Sequence, residues 1–171
     1  MNYIYMINEE NGLLLQEKLH TYVVESYARW YGVDRQSVKI IMATYGKPEV
    51  QINGTLVGIK FNISHTKGIG IIIFSRKQIG IDIEFLREAD YRISNRFFHE
   101  IEDKYIYDAK EKILQNERFT EIWVKKEAYF KYTGRGLCSK MRNINVLNYN
   151  YGYGKIDIKG KKYIYAFYSG D

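Results

Sequence analysis

The sequence predicts an α+β domain whose two halves each pack a helix on antiparallel strands. Three observations carry this. Two kinds of segment alternate along the chain, helical apolar periodicity and period-two strand patterns. Strand-like runs both precede and follow the main helices, as in segregated α+β architectures. The 171 residues include one proline and no long polar linker, so the halves read as one continuous unit, with a seam near Phe85 to Asp90 dividing 1–86 from 87–171.

Taken in order, "YIYMINE" (3–9) reads as a strand, and "LLLQEKLHTYVVESYARWY" (13–31) as a helix that Gly32 ends. "SVKIIMATYG" (37–46) alternates like a strand until Gly46-Lys47-Pro48 breaks it. Asn53-Gly54 is a hairpin turn dipeptide inside "VQINGTLVGIKFNIS", and "GIGIIIFSRKQIGIDIEF" (68–85) supplies further strands. "ADYRISNRFFHEIEDKYIYDAK" (89–110) and "ERFTEIWVKKEAYFKYTG" (117–134) each read as one helix, the second ended by Gly134. "NINVLNYN" (143–150), "GKIDIKG" and "KKYIYAFYS" return to strands. No repeat of 20–50 residues is present, which excludes a solenoid.

Composition narrows the function classes. No apolar run reaches the length of a membrane span, and "MNYIYMINEENG" lacks the basic and apolar regions of a secretory signal. Cys138 is the single cysteine, which excludes an intramolecular disulfide and a cysteine-rich zinc site, and it reads as a small buried hydrophobe. A cytoplasmic protein is expected. The net charge of +6 favours anionic partners. The basic residues are dispersed and form no nucleic-acid motif, so no nucleic acid is expected as partner.

"IGIDIEF" (79–85) sets two carboxylates in an otherwise apolar strand. Strand alternation puts Asp82 and Glu84 on one face and Ile81, Ile83 and Phe85 on the other. Two like charges side by side are costly to desolvate unless a cation answers them. In "WVKKEAYFK" (123–131), Trp123, Glu127 and Lys131 stand four residues apart and share a helix face. The neighbouring Tyr129 and Phe130 make an apolar setting that raises a carboxyl pKa. In "FNISHTKG" (61–68), Ser64-His65 leads into a glycine-bearing turn where an anion can be met. A Ser-His nucleophile is a poor reading, because adjacent strand residues face opposite ways. Lys47 occupies the turn "YGKPE". Three carboxylates suit a hard cation such as Mg²⁺, with lysines and His⁺ neutralising phosphate charge. Together these residue types suit attack on a phosphoryl group.

These four pieces, in order, resemble the 4′-phosphopantetheinyl transferases of the surfactin-synthetase-activating (Sfp) type. The resemblance runs over Gly46-Lys47-Pro48, Phe61 to His65, Gly80 to Glu84, and Trp123 to Lys131, with "NRFFHEIE" (95–102) alongside. It implies a pseudo-twofold fold with coenzyme A in the cleft between halves. It also implies Mg²⁺ on Asp82, Glu84 and Glu127, and an apo acyl or peptidyl carrier protein as acceptor. In that scheme Glu127, or a water it orients, is the base, Lys131 contacts the pyrophosphate, and Lys47, Ser64 and His65 line the nucleotide end. Phe97 and Phe98 fall where a carrier would dock, and a monomer is the default. The sequence departs from the family near "INEENGLLLQEKLH", where longer members carry basic residues for the coenzyme A 3′-phosphate. Lys18 and His20 are the nearest substitutes.

Two other readings stay open on the residues alone. A metal-dependent nuclease would use the same acids with a lysine, although Glu127 lies 43 residues beyond Glu84 on a helix. A non-catalytic binding module for coenzyme A or the carrier would keep the pocket without the chemistry.

Overall fold

A computed structural model describes residues 2–43, 47–135 and 139–170. Gly46 of the Gly-Lys-Pro motif and Cys138 lie outside the described residues. The chain is α+β, with strands β1 (Tyr3–Asn8), β2 (Val38–Met42), β3 (Pro48–Ile52), β4 (Thr55–Leu56), β5 (Lys60–Thr66), β6 (Ile69–Ser75), β7 (Gly80–Phe85), β8 (Gly152–Ile158) and β9 (Lys161–Tyr168). The helices are α1 (Gly12–Tyr31), α2 (Tyr91–Phe97), α3 (Glu100–Tyr107) and α4 (Lys112–Thr133). The strands form three antiparallel sheets, ordered β1-β6-β5, β2-β3-β4 and β7-β9-β8. No helix among the described residues is long and apolar enough to cross a membrane.

The α1 helix begins where the Asn11 side chain accepts the Leu13 and Leu14 N–H groups, and Gly32 ends it in the left-handed region. Leu15, Leu19, Val23 and Tyr27 repeat at helical spacing and are buried against Phe61, Ile72 and Phe74. The run "IGIIIF" of β6 is buried on both faces, which is why it reads as unbroken apolar sequence. Its Ile72 and Phe74 face α1, while Ile69, Ile71 and Ile73 join Ile79, Ile81, Ile83 and Tyr163 in a second core. That second core fuses the β1-β6-β5 sheet to the β7-β9-β8 sheet. Thus β7, on the N-terminal side of the expected seam, is laddered to β9 near the C-terminus.

Two expectations are corrected. The segment 89–110 is two helices, because Phe98 and His99 are extended. His99 starts α3 by accepting the Ile101 N–H on Nδ1, while Glu102 accepts the His99 N–H. This capping box uses histidine in place of the customary serine or threonine, so its usual sequence mark is absent. The segment 143–150 is not a strand. It belongs to 3-10 turns at Ser139–Asn143 and Val146–Asn148. The backbone groups a strand ladder would need are taken by Lys126, which binds the carbonyls of Met141 and Ile144, and by Glu102, which accepts the Val146 N–H.

Lys126 and Glu102 are fully buried and 2.8 Å apart. The three ammonium donors of Lys126 have three acceptors: Glu102, Met141 O and Ile144 O. Burial pushes the Glu102 carboxyl up and the Lys126 amine down, and each charge pulls the other back. Nearby, β7 crosses α4 so closely that a Cβ at Gly80 would collide with Ala128 O and Tyr132 N.

Lys126→Met leaves Glu102 buried without its cation, and the loss should be about 3–5 kcal/mol, read as a fall in the urea midpoint at unchanged slope. Gly80→Ala forces β7 and α4 apart, with an expected cost of about 1–3 kcal/mol. Thermal melts of that variant compared with wild type check it, and an unchanged melting temperature would refute the close crossing.

Candidate active site

The site forms where β7 faces α4. Ile81 and Ile83 of β7 enter the second core, so Asp82 and Glu84 project from the opposite face, as strand alternation requires. From α4, Lys131 Nζ reaches Asp82 Oδ1 at 2.7 Å. Asp82 is 4% exposed, and the same oxygen accepts the Ser64 hydroxyl at 2.6 Å. Its other oxygen, Oδ2, is buried with no hydrogen-bond partner among the described residues.

Glu84 accepts the Thr66 hydroxyl at 3.2 Å. The Trp123 indole lies beside it, although among the described residues its buried N–H closes no hydrogen bond of normal geometry. Burial and the Asp82 charge push the Glu84 carboxyl up, against Arg87, which lies over the Trp123 ring 5.7 Å from its centre. The Glu127 carboxyl is pushed up to about 7, first by burial and then by Asp82 and Glu84, with Lys131 opposing. A glutamate that titrates near neutrality can accept a proton at physiological pH.

Asp82 raises the carboxyls of both Glu84 and Glu127, and its own buried Oδ2 has no hydrogen-bond partner among the described residues, so the three carboxylates are chemically suited to a hard divalent cation. Among the described residues no three acidic, histidine or cysteine side chains already converge as metal ligands do. The Lys131 ammonium is instead the cation bonded to Asp82.

The structure therefore brings together Asp82, Glu84, Glu127, Lys131 and Ser64. Ser64 is tied to the Asp82 carboxylate. His65 is exposed on the other face of β5, its Nε2 3.1 Å from the Gln16 amide of α1. Lys47 bridges the two sides of the site, donating to Ile79 O before β7 and to Tyr132 O near the end of α4. Burial and the nearby Lys60 lower its amine to about 8, against Glu49. Lys18 pairs with Glu9, and His20 is exposed.

The expectation for Phe98 is corrected. It is fully buried, with its ring 5.2 Å from that of Phe119, so it cannot meet a partner, whereas Phe97 is half-buried under Arg96. Thr66 and Arg87 were missed. Thr66 had a legible signal: Asn62, Ser64 and Thr66 alternate on β5 with the same period as Asp82 and Glu84 on β7. A concavity of about 530 Å³ lined by Tyr3, Tyr5, Trp30, Ile59 and Phe74 lies elsewhere and holds none of the candidate residues.

Residues 78–171 match the model of the 4′-phosphopantetheinyl transferase superfamily. The 4′-phosphopantetheinyl transferase Sfp of Bacillus subtilis (strain 168) is 31% identical over 131 residues, which is 77% of this chain and 57% of that protein. The 4′-phosphopantetheinyl transferase gsp of Aneurinibacillus migulanus is 39% identical over 94 residues, 54% of this chain and 37% of that protein. The 4′-phosphopantetheinyl transferase HetI of Nostoc sp. is 32% identical over 124 residues, 68% of this chain and 50% of that protein. The matched part of this chain thus spans between 37% and 57% of these relatives' lengths. Because the matched segment covers more than half of the chain and contains β7, α4 and the carboxylates they bring together, the chain belongs to the 4′-phosphopantetheinyl transferase superfamily.

Proposed function

We propose that this chain transfers 4′-phosphopantetheine from coenzyme A to a serine of an apo acyl or peptidyl carrier protein. The observation that carries this reading is the Asp82–Glu84–Glu127 cluster facing Lys131, within the segment matched by the family model. In this reading the site lies between residues 1–86 and 87–171, and the chain acts as a cytoplasmic monomer without nucleic acid or membrane. Asp82, Glu84 and Glu127 would hold Mg²⁺, which supplies Lewis acidity at the pyrophosphate. Glu127, raised to about 7, accepts the serine hydroxyl proton directly or through a water. The serine oxygen attacks the β-phosphorus, the one that carries pantetheine. The bond from that phosphorus to the bridging oxygen breaks, and 3′,5′-ADP leaves with the electron pair. Lys131 lies beside Asp82, where its ammonium can exchange the carboxylate for developing phosphate charge. Ser64 holds Asp82, and Lys47 keeps the end of α4 on the start of β7; His65, exposed beside Gln16, would serve the nucleotide end.

The second reading is a module that binds coenzyme A without turnover. Membership of the family gives no support to a nuclease.

Intact mass of an apo carrier protein after incubation with the chain, coenzyme A and Mg²⁺ separates these readings. A gain of one phosphopantetheinyl arm, lost with EDTA, supports transfer. Binding of coenzyme A with no gain across several carriers supports the module. Glu127→Gln should lower the transfer rate by about 10²–10⁴-fold, and near-normal turnover would remove Glu127 from the mechanism.

The same variant has a stability signature in metal-free protein. The folded Glu127 binds its proton more tightly than the unfolded chain does, so stability falls as pH rises from 4.5 to about 7. Glutamine does not titrate. Glu127→Gln should therefore melt higher than wild type above pH 7, by about 2–4 °C for each kcal/mol relieved. The difference should close below pH 4.5. A calorimetric pH series checks this.

A further inference from the structure

In their sheets, β5 and β7 are each an outer strand, yet they lie against one another. Among the described residues, side chains of β5 make the polar links between them. Asn62 Oδ1 accepts the Ile81 N–H at 2.9 Å, Ser64 Oγ donates to Asp82 Oδ1 at 2.6 Å, and Thr66 Oγ1 donates to Glu84 Oε2 at 3.2 Å. The three residues alternate along β5 and so share one face. Their partners advance in the same direction along β7, so the two strands run parallel. A comb of polar side chains replaces the backbone ladder at this seam, and two of its three teeth end on carboxylates of the candidate site.

We propose that Thr66 is a positioning residue, whose hydroxyl holds Glu84 in the place from which it takes up a divalent cation with Asp82 and Glu127. This inference rests on the metal-binding part of the function proposed above. Asp82 is fixed twice, by Ser64 and by Lys131. Glu84 has one more rotatable bond and is less buried, and among the described residues Thr66 is the group that closes a hydrogen bond on it. Without that donor the carboxylate has free rotamers to lose when it binds a cation. Thr66 is itself a stiff anchor. It is β-branched and restricted at χ1, and the residue after it is held by the Tyr163 hydroxyl, which donates to Lys67 O at 3.0 Å. The hydroxyl also leaves the acceptor character of the carboxylate intact, as groups that orient metal ligands do.

A seam-fastening role alone makes a different prediction, since it would cost stability and leave cation affinity untouched. Titration calorimetry with Mn²⁺ alone, on the wild-type chain and on Thr66→Val, Thr66→Ser and Thr66→Ala, decides between them, with melting temperatures recorded on the same samples. Thr66→Val and Thr66→Ala should bind Mn²⁺ about 10–100-fold more weakly, and Thr66→Ser should return to within a few-fold of wild type. Wild-type affinity in the valine and alanine variants overturns the proposal, as does a serine variant as weak as valine. Absence of saturable Mn²⁺ binding in the wild-type chain overturns the metal site itself, and this proposal with it.

Discussion

A carboxylate taken out of water needs donors or cations around it, and Asp82 obtains both from elements far apart in sequence. At 4% exposure it would be untenable alone. The Ser64 hydroxyl reaches it from β5 and the Lys131 ammonium from α4, both on Oδ1. This one oxygen therefore ties together a strand of the first sheet, the edge of the third sheet and the long C-terminal helix. The contact demands a close approach of β7 to α4, which Gly80 permits by having no Cβ to meet Ala128 O. It also demands a fixed register across the β5–β7 seam, which Asn62 supplies by accepting the Ile81 N–H.

The Glu102–Lys126 and Asp82–Lys131 pairs show different uses of the same chemistry. Glu102 and Lys126 are both fully buried, and every donor of the ammonium has an acceptor. That pair is electrically complete and organises the turns that follow α4. The Asp82–Lys131 pair is incomplete. Asp82 keeps an oxygen without a partner among the described residues, and Glu84 and Glu127 stand near with carboxyls raised by burial and by the Asp82 charge. A structure that bears such repulsion is less stable than it could be, which is the usual mark of a functional site. The completed pair in effect holds the frame on which the incomplete one is displayed.

How much of this was legible in the sequence varies with the length of the interaction. The α1 helix was readable because its cap, its apolar period and its terminal glycine are all local. The facing of Asp82 and Glu84 followed from strand alternation alone. The splitting of 89–110 was not readable, since a histidine performs the capping that serine or threonine usually signals. The turns at 139–148 were equally hidden. They exist because Lys126 and Glu102, many residues away, capture the backbone groups of an otherwise strand-like segment. Ser64 and His65 show the limit within a motif. Alternation separates them, yet only the fold reveals that Ser64 meets Asp82 while His65 meets Gln16.

The helix motif from Trp123 to Lys131 is best understood as two motifs interleaved. Consecutive helix residues are about 100° apart, so Lys126 and Glu127 cannot serve the same neighbour. Lys126 turns into the core beneath α3 and carries the loop after α4, while Glu127 and Lys131 turn toward β7 and carry the candidate site. The adjacency has a mechanical consequence. Any shift of α4 that improved the fit of one face would disturb the other, because a rigid helix transmits rotation along its length. The buried ion pair thereby fixes the rotation of α4 about its axis, and that rotation decides whether Lys131 meets Asp82. A residue with no atom in the site thus helps set its geometry, and a lysine in such a motif need not touch substrate to be required.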